Sequence, residues 1–233
     1  MIDNTRSSPA PSSLSSKTSY GGLDVRQGLR QDFLSKCYLC EGYVGGAFEV
    51  EHFRPQAGFP ELEHEWTNLF PSHGSCNKRR LKWSQSERHW NPLAAKYAAF
   101  PSSGMLDCAN GSNVEGRLLQ WLVTRTGGVE VFIEAADAND AEAKNTAKEL
   151  SHIYSAPGSS DSEQLRNAVS AQLNRLQEAT ISVLVAKDDV TSKAFATAIA
   201  ELKRLVDRAS PFCALMNDAL NKMNLPSDIK DRL

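Results

Sequence analysis

Two pairs of soft ligands, Cys37-x-x-Cys40 and His73-x-x-Cys76, constrain this chain more than any other feature. Three thiolates and one imidazole at that spacing make the donor set of a closed tetrahedral zinc site. A metal bound by all four would tie two distant loops to one point and stabilise a small, loop-rich core. A closed site leaves no ligand position for substrate, so this metal is expected to be structural. His64 and Cys108 stand as alternatives to His73 for the fourth ligand.

The use of cysteine agrees with that reading. Cys37, Cys40, Cys76, Cys108 and Cys213 are odd in number. The Ser/Pro-rich start lacks the apolar stretch of a signal peptide, and no apolar run approaches the ~20 residues of a membrane span. A cytoplasmic protein is expected, with close thiols that bind metal and form no disulfide. Cys108 and Cys213 stand alone and are expected to be small buried hydrophobes. The net charge of -2 gives no overall attraction to nucleic acid. Any such attraction must come from a local patch, and Lys78, Arg79, Arg80, Lys82 and Arg88 form a run with only Glu87 as an acid.

Composition divides the chain into a Ser/Pro-rich arm over residues 1–19, a core over 20–100 and a mainly helical region over 101–233. The arm is expected to be flexible because it has too little apolar surface to offset ordering, with Leu14 and Tyr20 as its few anchors. Leu23 to Leu34 reads as a helix, and Tyr43 to Phe53 as a hairpin about Gly45-Gly46. Trp66 to Phe70 reads as a second strand, and Cys76 to about Glu87 as a helix. Further on, Leu118 to Ile133 alternates around Gly127-Gly128 as another hairpin. From Glu134 the chain reads as helical, with caps at Asp161 and Thr191 and a third start at Ser210-Pro211. The stripes Leu165/Val169/Leu173/Leu176 and Phe195/Ile199/Leu202/Leu205 offer more apolar surface than the region is expected to hide, which suggests a partner. The fold class expected is α+β: a ββα-metal core with a zinc knuckle, then helices.

Between the soft ligands lie residues suited to phosphodiester cleavage. Glu51 offers a carboxylate and Asn77 an amide oxygen. With water and phosphate completing the shell, that pair suits Mg²⁺ or Mn²⁺ as a catalytic metal. Strand alternation turns His52 to the face opposite Glu51, where it can take a proton from water.

Glu51-His52-Phe53-Arg54-Pro55, Trp66-x-Asn68-Leu69 and Cys76-Asn77, in this order between the ligand pairs, resemble the HNH endonucleases with an embedded zinc knuckle. The likeness is closest to the nuclease subfamily that accompanies an ATPase in the Septu anti-phage defence system, also found with some retrons. It covers about residues 25 to 92, and only loosely the helices beyond. It implies that His52 is the general base, that Glu51 and Asn77 hold the catalytic metal, and that Asn68 braces the loop carrying His52. Arg54 and Arg80 become phosphate contacts. His73 stands where the family usually has Cys, which keeps a competent ligand. The implied activity is metal-dependent endonucleolytic cleavage of DNA within an ATPase-coupled complex. An RNA-cleaving toxin-like effector and a catalytically silent zinc module that binds nucleic acid or protein are the alternatives. The chain has no Walker-type glycine loop, so ATP use would belong to the partner.

Overall fold

A computed structural model describes residues 1–17, 19–56, 59–79 and 104–233; it is a mixed α+β fold with two small sheets and a helical C-terminal part. In the first sheet, β1 (Glu49–His52) pairs antiparallel with β2 (Leu69–Ser72), setting Glu51 opposite Phe70 and His52 opposite Leu69. The hairpin expected over Tyr43 to Phe53 does not form. Tyr43 makes only an isolated bridge to Lys36, and residues 45–47 are exposed. Pairing β1 with the buried β2 brings Phe53 and Tyr38 around Phe70, with ring centroids 5.2 and 4.9 Å away. A glycine turn in solvent offers no comparable burial.

Trp66–Asn68, expected to begin the second strand, is a 3₁₀ turn instead, with Trp66 and Asn68 buried. After β2 the chain enters a helix, described over residues 74–79 and labelled α3. Its expected continuation to Glu87 lies outside the described residues.

The arm expected to be flexible over residues 1–19 is packed where it is described. Met1, Ile2 and Leu14 are buried, and a short α1 (Ser12–Ser15) carries Leu14 inward. The Arg6 guanidinium lies over the rings of Phe33, Trp66 and Phe70 at 4.8, 5.0 and 4.4 Å. Backbone groups are satisfied across the core, with Asn4 N donating to Cys108 O at 2.6 Å and Trp66 Nε1 to Ser7 O at 3.2 Å. Low hydrophobicity argued for disorder, but one cation in an aromatic cage and a few long-range hydrogen bonds supply the missing contacts. α2 (Leu23–Asp32) then buries Val25 and Leu29.

The second hairpin forms where alternation placed it. β3 (Leu118–Arg125) and β4 (Gly128–Ala135) pair antiparallel, following a short α4 (Val114–Arg117). Gly128 has φ +123, which L side chains rarely adopt, so the tight turn needs glycine there. Helix begins at α5 (Ala141–Ser155), not at Glu134, because the strand runs on to Ala135; Asp140 caps α5 by accepting from Ala143 N at 3.0 Å. α6 (Ser160–Ala186) is capped by Ser159, two residues before the cap expected at Asp161, and α7 (Lys193–Val206) by Ser192, one residue after the cap expected at Thr191. α8 (Cys213–Lys222) follows Ser210-Pro211, and α9 (Ser227–Lys230) closes the chain. α5 and α6 pack on β4, α7 on α6, and α8 on β3.

The two stripes expected to seek a partner are largely internal. Val169, Leu173, Leu176, Phe195, Leu202 and Leu205 are buried, and Leu165 and Ile199 pack against the same core. Pairing α6 with α7 hides each stripe against the other. The core is one apolar cluster that includes the N-terminal segment, the first sheet and the C-terminal helices. No described helix is long and apolar enough to cross a membrane.

Candidate functional site

The loop between α2 and β1 and the turn after β2 meet at one point. The ligating atoms of Cys37, Cys40, His73 and Cys76 all lie within 4.8 Å of one another. A tetrahedral ion with bonds of ~2.3 Å to sulfur sets its ligands ~3.8 Å apart, so the cluster can hold a metal ion and is consistent with structural zinc. Of the three residues weighed as fourth ligand, His73 is the one in place. His64 stands instead near Tyr20, and Cys108 beside Arg6.

Second contacts orient the donors. His73 Nε2 lies 2.9 Å from Tyr43 O. A carbonyl only accepts, so Nε2 carries the proton and Nδ1 keeps the lone pair that faces Cys40 Sγ at 3.3 Å. Tyr154 on α5 donates its hydroxyl to Cys40 O at 2.7 Å, so the C-terminal region holds the knuckle turn. A Cβ on Gly42 would come within 3.2 Å of His73 Cε1, and glycine permits that approach. Burial raises the Cys37 thiol, but hydrogen bonds with Cys40 and Cys76 and the neighbouring His73 imidazole outweigh it and hold Cys37 well below its ordinary value. The same sharing, with Cys37 as the main partner, raises Cys40, Cys76 and His73. A cluster with one thiolate already favoured is prepared for a cation that displaces the remaining thiol protons.

The knuckle also touches the hard-ligand residues. Tyr38, inside the Cys37–Cys40 turn, donates its hydroxyl to Glu51 Oε2 at 3.2 Å, and Glu51 is buried. Asn77 on α3 does not direct its amide nitrogen to Glu51. It donates to Glu49 Oε2 at 2.8 Å, one pleat earlier on the same face of β1. Glu49, Tyr38 and Tyr43 had no distinguishing sequence signal, since their roles come from long-range contacts alone.

His52 is half-buried at the end of β1, and its Nε2 lies 3.0 Å from Glu63 O. That carbonyl fixes the proton on Nε2 and leaves the lone pair on Nδ1. Burial lowers the His52 pKa below 6.5; the bond to Glu63 O and the Glu63 charge oppose the shift without reversing it, and His64 adds to it. Asn68 is buried beside this loop. Its Oδ1 accepts from Arg54 N at 2.7 Å, and its Nδ2 donates to Arg54 O at 3.1 Å and Leu62 O at 3.2 Å. It therefore clamps the chain two residues after His52 to the chain one residue before Glu63.

Of the proposed phosphate contacts, Arg79 must be withdrawn. It is buried, and its Nη1 donates to Ile153 O at 2.7 Å and to Ser162 Oγ. Its charge satisfies the C-terminal turn of α5 and the start of α6. A run of charges in sequence becomes split when one helix face packs and the other meets water. Lys78 is exposed, and Arg54 is half-exposed beside the Phe59 ring at 5.9 Å. Arg80, Lys82 and Arg88 lie outside the described residues.

In comparison with known proteins, the chain matches no family model, no curated protein and no solved structure.

Proposed function

We propose that this chain is a metal-dependent endonuclease of the HNH type that hydrolyses DNA, with Cys37, Cys40, His73 and Cys76 holding a structural zinc ion. The observation that carries the reading is the Asn68 clamp beside His52, because it fixes both backbone segments that orient the imidazole. A turn-forming Asn has no need to span two segments. His52 acts as general base through Nδ1, and its lowered pKa keeps it neutral and ready to accept a proton near pH 7. Water so activated attacks phosphorus in line with the departing 3′ oxygen, leaving 5′-phosphate and 3′-hydroxyl ends. No 2′-hydroxyl nucleophile is involved, which favours DNA over RNA.

Glu51 and Asn77 supply the donor types for Mg²⁺ or Mn²⁺, and Tyr38 and Glu49 orient them. Glu49 takes up the Asn77 amide nitrogen, so the amide oxygen is the Asn77 atom that would serve as a metal donor. When bound, such an ion offsets the charge that develops on the phosphate. Lys78 and Arg54 are the described cations that would meet the DNA backbone. The ATPase partner belongs to this reading on the motif resemblance alone, since the apolar stripes are internal.

The test is incubation of supercoiled plasmid with the purified protein and Mg²⁺ or Mn²⁺, beside a chelator control and labelled RNA. Nicking that needs the ion and vanishes in His52→Ala is the expected result. Cleavage of RNA alone would make the chain an RNA-directed effector, and inertness on both substrates would make it a silent binding module.

A further inference from the structure

We infer that Tyr20 is a positioning residue for His52, an inference that rests on the nuclease reading above. The Tyr20 and His52 rings meet edge to face, with centroids 4.6 Å apart and planes at 73°. The second ring on this side of the loop is His64, 6.3 Å from Tyr20 at 68°. The bond from Nε2 to Glu63 O fixes the tip of the imidazole. The Tyr20 ring bears on the body of the imidazole, where it limits swing of the ring plane about its long axis and sets the direction of the Nδ1 lone pair.

Tyr20 is itself held in register with β1. Arg26 on α2 donates from Nε to Gly21 O at 3.2 Å and from Nη1 to Phe48 O at 2.5 Å. One guanidinium thus ties the residue after Tyr20 to the residue before β1. Asp24 accepts from Ser13 N at 2.9 Å and Ser13 Oγ at 2.7 Å, which fixes the start of α2 against α1. Tyr20 packs against the core from this doubly anchored turn. Its place beside His52 is therefore tied to the segment that leads into the strand carrying His52.

An edge-to-face pair of this kind biases ring orientation by about threefold to tenfold. Small misplacements of a reacting group reduce rate more than binding, so the loss should fall on kcat. The experiment compares wild type, Tyr20→Leu and Tyr20→Phe on supercoiled plasmid with Mn²⁺, separating kcat from KM. It also reads the His52 ring-proton shifts by NMR, assigned through His52→Ala. The expected result is a kcat about tenfold lower in Tyr20→Leu, with KM within about twofold. Tyr20→Phe should recover most of the rate, because the ring and not the hydroxyl makes the wall. The His52 shifts should move in Tyr20→Leu as the ring current is lost, and stay near wild type in Tyr20→Phe. An active wild type with Tyr20→Leu cutting at the same kcat overturns the positioning role and leaves the nuclease reading standing. A rise in KM at constant kcat also overturns it, since Tyr20 would then be touching substrate. A wild type that cuts no nucleic acid overturns both readings, whatever the shifts show.

Discussion

Replacing Asn68 with Ala removes a side chain that joins Arg54 to Leu62. Three hydrogen bonds disappear, and Arg54 N, Arg54 O and Leu62 O lose the partner they share. Asn68 is 5 % exposed, so water replaces those bonds poorly. At about 1 kcal/mol for each bond, the loss is about 3 kcal/mol. For a chain of 233 residues that corresponds to a melting temperature about 6 °C lower. Asn68→Asp should be at least as harmful, because it sets a carboxylate oxygen against two carbonyls where Nδ2 had donated. Urea denaturation followed by circular dichroism measures the stability loss, and plasmid nicking measures the effect on His52. A destabilisation below about 0.5 kcal/mol would refute the clamp, as no buried network of three bonds is that weak.

Cys37→Ser should lose one bound metal ion per chain by elemental analysis and melt well below wild type, because the remaining ligands no longer close the site; full metal retention would count against the cluster. Arg79→Ala should cost about 2–3 kcal/mol through its charged bonds to Ile153 O and Ser162 Oγ, while leaving the salt dependence of DNA binding unchanged. A reduced salt slope in that variant would return Arg79 to the DNA surface. The folded pKa of His52 lies below its unfolded value of 6.5. The folded state thus favours the neutral ring: its stabilising contribution is complete above pH 6.5 and is lost as pH falls through the lowered value. Cleavage should follow the same direction, flat above pH 6.5 and falling only below the lowered pKa. A rate still rising steeply from pH 7 to 8 would assign the titrating base to another group.

Spacing and periodicity were enough to read several features from the chain itself. Two C-x-x-C-type ligand pairs at Cys37/Cys40 and His73/Cys76 converge because each is a short local turn, and only one long-range meeting is needed. β3 and β4 follow from alternation about a glycine that takes positive φ, and the α6 and α7 stripes follow from helical spacing. All of these are local rules of backbone geometry. The pairing of β1 with β2 was not legible, because it was decided by which partner buried more apolar surface, a comparison across the whole chain. The Ser-rich start was not legible for the same reason: its order depends on an aromatic cage assembled from Phe33, Trp66 and Phe70. Tertiary packing also separated neighbours that look alike in sequence, turning Lys78 to solvent and Arg79 into the α5–α6 junction. It brought Glu49 to Asn77 and Tyr20 to His52, pairings that neither residue type nor spacing announces. Donor chemistry is written in residue types and spacing, but the orientation of each donor comes from contacts that exist only once distant segments have packed.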